Sequence, residues 1–215
     1  MAVHLFKYKL SYFPVPKVAC TSIKTALFKV ENGFDFRDFR ANGKYKFIHN
    51  VAYPTEPLAM QDLEPIREHA KFAVVRCPID RIVSCYNSRV RVHRELSPRN
   101  IGQNALDAGL RADPEINDFI GNLDAYRKFS VSIQHHTEPL TTFLGVERGF
   151  FTEIFSFRDL ARFVDRCSSI VGQDIVLPRL QVGGSAATRS DISRASMALL
   201  EERFRQDREI FGDLF

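Results

Sequence analysis

Strand, turn and amphipathic helix recur along this chain of 215 residues, and the alternation predicts an α/β domain with a mainly parallel central sheet flanked by helices. Two observations carry the prediction. Phe72, Ala73, Val74 and Val75 are apolar in succession, as expected of a strand covered on both faces. The segments that follow the expected strand ends place Ile23, Ala26, Leu27 and Val30, and then Ile79, Ile82, Val83 and Tyr86, on single helical faces. Hydrophobic residues make up 45% and charged residues 26% of the chain, a globular balance that excludes disordered, collagenous and fibrous classes. No repeat or low-complexity tract divides it, so residues 1–215 read as one domain.

Each element has a local reason. Tyr12 to Val15 reads as a short strand that Pro14 makes poorly suited to the middle of a sheet. Thr21 or Ser22 can cap the helix carrying Ile23 to Val30. Lys71 to Arg76 is the second strand, and Pro78 starts the next helix. Asp113 and Pro114 supply a cap and first turn for a helix with Ile116, Phe119, Ile120 and Leu123 inward. Phe150 to Phe155 reads as a third strand, and Ser156 with Asp159 forms a capping box before Leu160, Phe163, Val164 and Cys167. A last helix from about Asp191 to Phe211 presents Leu200, Phe204 and Phe211 on one side.

The composition also bounds the chemistry. Cys20, Cys77, Cys85 and Cys167 are scattered without a CxxC pair, which fits reduced thiols and offers no zinc-ligand spacing. No apolar run approaches the ~20 residues of a membrane helix, and the N-terminus lacks a secretory h-region, so a cytoplasmic protein is expected. The net charge is only +4, yet it is unevenly placed. Lys7, Lys9, Lys17, Lys24 and Lys29 precede the first acid, Glu31, and a second basic stretch carries Arg76, Arg81, Arg89, Arg91, Arg94 and Arg99. Two separated basic segments suit an anionic ligand charged at more than one end. No nucleic-acid module accompanies them, so a polynucleotide partner is not expected.

In parallel α/β sheets ligands bind beyond the carboxyl ends of the strands, which directs attention to the turns after Val15 and Val75. The first reads Pro16, Lys17, Val18, Ala19, Cys20, Thr21, Ser22. Its amides, at a helix N-terminus, favour a phosphate, with Thr21 and Ser22 adding hydroxyls and Lys17 and Lys24 adding charge. The first glycine of the chain is Gly33, so this is not a Walker A loop. Nor does an arginine stand where a cysteine phosphatase needs one, since Ala26 occupies that position. Equally, Thr21 and Ser22 can be plain helix caps. The second turn puts Arg76 at the end of an apolar strand, where a charge requires a partner, and Ser84 on the helix face away from Ile79, Ile82 and Tyr86, together with Arg81 and Ser88. An internal salt bridge for Arg76 and a solvated Ser84 satisfy the same pattern.

These two turns resemble a known family. Pro16 to Ser22 is similar to the 5′-phosphosulfate loop of sulfotransferases that use PAPS (3′-phosphoadenosine 5′-phosphosulfate). Arg76 to Tyr86 is similar to their 3′-phosphate motif, R-x-P-x-x-R-x-V-S-x-Y. The nearest branch holds the chondroitin 4-O, HNK-1 and heparan 2-O carbohydrate sulfotransferases. Phe155 to Phe163 and the final helix with Asp207 and Phe211 extend the resemblance loosely over most of the chain. Cys77 departs from the acidic residue common at its position, and His136 to Leu140 departs from a His-x-x-Pro-Gln pattern at Leu140.

The resemblance implies a P-loop-like sulfotransferase fold and transfer of a sulfuryl group from PAPS to a carbohydrate or glycolipid hydroxyl, releasing PAP, with no metal. Lys17 would hold the bridging oxygen of the donor, Ala19, Cys20, Thr21 and Ser22 its 5′-phosphate, and Arg76 and Ser84 its 3′-phosphate. His49, between the two motifs, is where heparan 2-O relatives keep a catalytic base. His69 is a competitor that reads as a solvated helix end, while His135, His136 and Arg89 are candidates for the acceptor site. The segment from Gly183 to Arg189 is a candidate cover for the nucleotide, with Arg189 near the 3′-phosphate; it also serves as a simple linker. Two rival readings of the same basic turns are a non-catalytic binder of nucleotide or anionic glycan, which needs no base, and a kinase with a degenerate loop, which needs Mg²⁺ and ATP.

Overall fold

The computed structural model describes residues 2–178 and 187–215. In chain order the first elements are β1 (Val3–Leu5), β2 (Leu10–Phe13), α1 (Cys20–Asn32), β3 (Phe39–Ala41), β4 (Lys44–Lys46), α2 (Ile48–Val51) and β5 (Ala70–Val75). Then come α3 (Pro78–Cys85), α4 (Gln103–Asp107), α5 (Ile116–Gly121), α6 (Leu123–Phe129), α7 (Val131–Thr137) and α8 (Leu140–Leu144). The last are β6 (Glu153–Ser156), α9 (Leu160–Val171), α10 (Arg194–Arg203) and α11 (Arg205–Phe211). They fall into two compact units. The first comprises the described residues of Met1–Arg76, Leu140–Gln181 and Asp213–Phe215, and the second those of Cys77–Pro139 and Val182–Gly212.

The first unit holds a four-stranded sheet in the order β1, β2, β5, β6. Strands β2, β5 and β6 run parallel, with Tyr12 beside Phe72 and Val75 beside Ser156, while β1 joins β2 antiparallel. The fold is therefore the mainly parallel α/β class expected, but β2 is an internal strand despite Pro14. The reason is its extent: β2 is shifted two residues toward the N-terminus and ends at Phe13, so the proline's missing N–H falls outside the ladder. Tyr12, Phe72, Phe155 and Phe163 of α9 meet edge-on or tilted at 5.4 to 6.5 Å and fill the space between sheet and helix. A second, two-stranded sheet pairs β3 with β4 across Asn42 and Gly43, both with positive φ, as a tight hairpin turn demands.

The second unit is helical around Ile79, Ile82, Tyr86, Phe119, Leu123 and Phe204. Chain after α3 continues as a π-helix over Tyr86–Val92, which carries Ser88 and Arg89. Two long helices expected from periodicity are each broken. The helix expected after Asp113 starts only at Ile116, because Asp113 is left-handed (φ 45°) and its carboxylate binds Arg94 at 2.9 Å; it then breaks at Asn122 into α5 and α6. The last helix breaks at Phe204, whose non-helical backbone (φ −108°, ψ 25°) accompanies a ring buried in the core. Ser156 caps a single tight turn over Phe157–Asp159, and α9 begins after it with Asp159 at its N-cap. Among the described residues no helix is long and apolar enough to cross a membrane.

Candidate active site

The loop from Pro16 to Ala19 leaves the carboxyl end of β2 and delivers the chain into α1. Lys17 and Ala19 adopt left-handed backbone (φ 67° and 50°), and Val18 between them does not. Such alternation turns successive N–H groups toward one side, the geometry of an anion-binding nest. It is unusual for non-glycine residues and costs energy that a bound anion can offset. The expected cap by Thr21 or Ser22 is not what forms. Ala19 is the N-cap, with no side-chain hydrogen bond, and its carbonyl accepts from Ile23 N–H at 3.0 Å. The two hydroxyls sit inside the first turn instead, which leaves the helix's leading N–H groups without a side-chain cap.

Thr21 Oγ1 lies 2.8 Å from His49 Nε2. His49 Nδ1 lies 3.0 Å from Lys24 Nζ, which also donates to the Tyr53 carbonyl and to Thr55 Oγ1, each at 2.6 Å. Lys24, expected to add charge to the phosphate loop, is instead fully buried and turned toward this polar cluster. Burial lowers its ammonium from 10.5 to about 8, opposed in part by Cys20. Tyr53 donates to Glu31, and burial together with that bond pushes its phenol well above the usual range. An aromatic row of Tyr45, Phe47 and His49, with ring centroids about 6 Å apart, runs from β4 to the histidine.

Arg76 follows β5, and its guanidinium stacks 5.1 Å over the Phe157 ring. Among the described residues no carboxylate pairs with it, so the internal salt bridge does not form. The sequence read His69 as a solvated helix end. It is buried, its Nδ1 2.8 Å from Ser11 Oγ, because the short turn before β5 folds the ring against Phe6 and beneath the sheet edge.

In the second unit Ser84 is partly buried on α3, and its hydroxyl has no hydrogen-bond partner among the described residues. Arg81, expected on the open face with it, is 1% exposed and donates to the Glu138 carbonyl at 3.1 Å. Asn87 binds the Ala187 carbonyl at 2.8 Å, and the Arg189 guanidinium lies 4.0 Å from the Cys77 sulfur at the start of α3. Residues 183–186 of the expected nucleotide cover lie outside the described residues. Arg89 and His136 are brought together: Arg89 donates to His136 Nε2 at 2.9 Å and to Glu95 at 3.2 Å, while His136 Nδ1–H donates to the Ser132 carbonyl at 2.8 Å. An arginine can only donate and a carbonyl only accept, so this tautomer is fixed. His135 packs edge-on against His136 at 5.2 Å. Beside them a cleft of roughly 290 Å³ is lined by Glu95, Asn100, Phe129, Ser130 and Ser132 among others.

A sulfated or phosphorylated nucleotide fits what the first unit offers: a left-handed loop whose leading N–H groups have no side-chain cap, and an arginine that no carboxylate among the described residues pairs with. Among the described residues no group of three or more His, Cys, Asp or Glu is placed to hold a metal ion. A sulfotransferase family model matches residues 5–212. No curated protein and no solved structure matches the chain.

Proposed function

The chain belongs to the sulfotransferase family and is a sulfuryl-transferring enzyme, and on that premise we propose that it uses PAPS to sulfate a hydroxyl of a carbohydrate or glycolipid, within the branch of the chondroitin 4-O and heparan 2-O enzymes. The match runs through both compact units, which supports reading residues 1–215 as one sulfotransferase domain. The observation that carries the donor assignment is the left-handed, uncapped loop from Lys17 to Ser22.

PAPS supplies an activated sulfuryl group on a phosphate leaving group. Lys17 neutralises charge at the leaving oxygen, as positioning and charge stabilisation do most of the catalytic work in transfers of this kind. Backbone N–H groups of Ala19 to Ser22, that of Thr21 included, and the Ser22 hydroxyl hold the 5′-phosphate. Arg76 and Ser84 hold the 3′-phosphate, a role supported by the motif they belong to, and Arg189 assists. His49 takes the acceptor's proton.

A carbohydrate acceptor is supported by the side chains around Arg89, His135 and His136. Two serines, an asparagine and a carboxylate present hydroxyl-binding groups beside the Phe129 ring. The reading is tested by incubating the protein with radiolabelled PAPS and a panel of glycans and glycolipids. Label in a glycan is the expected result; label in none of them, with PAPS hydrolysed or bound intact, would favour a different acceptor or a binding module.

A further inference from the structure

Lys24 stands at the centre of a polar cluster that reaches His49. A protonated Lys24 has three N–H donors and no acceptor, and three acceptors stand around it: the Tyr53 carbonyl, Thr55 Oγ1 and His49 Nδ1. In that state Nδ1 has to be the unprotonated ring nitrogen. The imidazole proton is then on Nε2 and donated to Thr21 Oγ1. A neutral histidine whose proton sits on the nitrogen facing the loop cannot accept another there.

Loss of one proton from Lys24 reverses the arrangement. Two N–H groups remain for the Tyr53 carbonyl and Thr55 Oγ1, and the new lone pair on Nζ accepts Nδ1–H. Nε2 then presents its lone pair toward Thr21. We propose that Lys24 is a positioning residue that switches the His49 tautomer, and that the proton taken from the acceptor hydroxyl is finally held by Lys24. In the step, the acceptor's O–H bond breaks as its proton passes to the Thr21 hydroxyl, which hands its own to Nε2. Nδ1–H breaks, a third N–H forms on Nζ, and the electron pair left on the acceptor oxygen forms the bond to sulfur as the bond from sulfur to the leaving nucleotide breaks. The inference rests on His49 being the base.

The setting supports such a switch near neutral pH, since burial brings the Lys24 ammonium down to about 8. The ionisable groups around it are Cys20 on its own helix, His49 on α2, and the Tyr53–Glu31 pair that ties the end of α1 to the chain after α2. β1, which also packs on α1, contributes His4, which is bonded to Ser11, and β2 contributes Tyr12, whose phenol is raised mainly by burial and in part by Cys20.

Two measurements test it. Nitrogen NMR of histidine-labelled protein without nucleotide should show His49 changing from the Nε2–H to the Nδ1–H tautomer with a midpoint near pH 8, and the pH profile of kcat/KM should have its acid limb at the same place. Lys24→Met should abolish the tautomer change and move the acid limb down toward the ordinary imidazole value of about 6.5. A wild-type limb near 6.5, or an unchanged His49 tautomer between pH 7 and 9, overturns the proposal, and both can be read even where Lys24→Met does not fold. Wild-type turnover in His49→Ala is a different failure: it overturns the base assignment itself, whatever the NMR shows, and the proposal with it.

Discussion

Thr21 Oγ1 and His49 Nε2 stand 2.8 Å apart, so one hydrogen bond joins the loop assigned to the donor's 5′-phosphate and the side chain assigned to the acceptor's proton. The base is thereby held to the first turn of α1, although 28 residues separate the two in the sequence. His49→Ala should lower turnover by roughly 10² to 10⁴, the range for a lost general base, and more acceptor should not restore it. Affinity for PAP should change by only a few-fold. Near-normal turnover in this variant, with loss of turnover in His136→Ala, would move the base to the second unit.

Arg76 has an aromatic ring beside it and no carboxylate among the described residues. Arg76→Ala should weaken PAP by about 2 to 5 kcal/mol, the usual consequence of removing a desolvated charged contact. Adenosine 5′-phosphosulfate, which lacks the 3′-phosphate, should bind the variant and the wild type alike. Equal weakening of both ligands in calorimetry would make Arg76 a structural residue.

Lys17→Ala should reduce the transfer rate by about 10² to 10³, as expected when a group that stabilises developing charge is removed. The effect should appear in kcat, with PAP binding less affected than in Arg76→Ala. A change confined to KM would assign Lys17 to ground-state binding alone.

His4 and His69 flank Ser11, at 2.9 and 2.8 Å from its hydroxyl, and their rings are 6.4 Å apart. Burial and the neighbouring imidazole hold His4 down to about 4, and burial, with Lys71 and Lys9, also lowers His69. The unfolded chain therefore binds more protons than the folded one between the ordinary value of about 6.5 and the folded value. This contribution to stability is complete above that ordinary value and is lost as pH falls through it toward the folded value. Urea midpoints measured from pH 7 to pH 4 should fall, and His4→Leu should flatten the curve. A wild-type midpoint independent of pH in that window would contradict the assignment.

The parts of the fold visible in the sequence are those where local chemistry and tertiary packing agree. The apolar run of β5 and the stripes of α1 and α3 reflect burial that the residues announce. Lys24 is the opposite case: its charge argues for solvent, and only Tyr53, Thr55 and His49, all more than 20 residues away, make its burial tolerable. The same holds for His69, whose partner Ser11 comes from the adjacent strand. Breaks at Asn122 and Phe204 leave the helical periodicity intact on both sides, so periodicity alone runs through them. The Asn42–Gly43 turn is legible as a hairpin signal but stands outside the strand–helix alternation on which the fold reading rests.

Titration calorimetry of the protein with PAP, in a buffer free of divalent metal, bears most directly on the donor assignment. Binding should be observed, should be far stronger than for adenosine, and should weaken by about 2 to 5 kcal/mol in Arg76→Ala. At about 100 times its dissociation constant PAP should stabilise the fold by about 2.7 kcal/mol and raise the melting temperature. Absence of PAP binding, or equal affinity for adenosine, would contradict the assignment of the two turns to a doubly phosphorylated nucleotide.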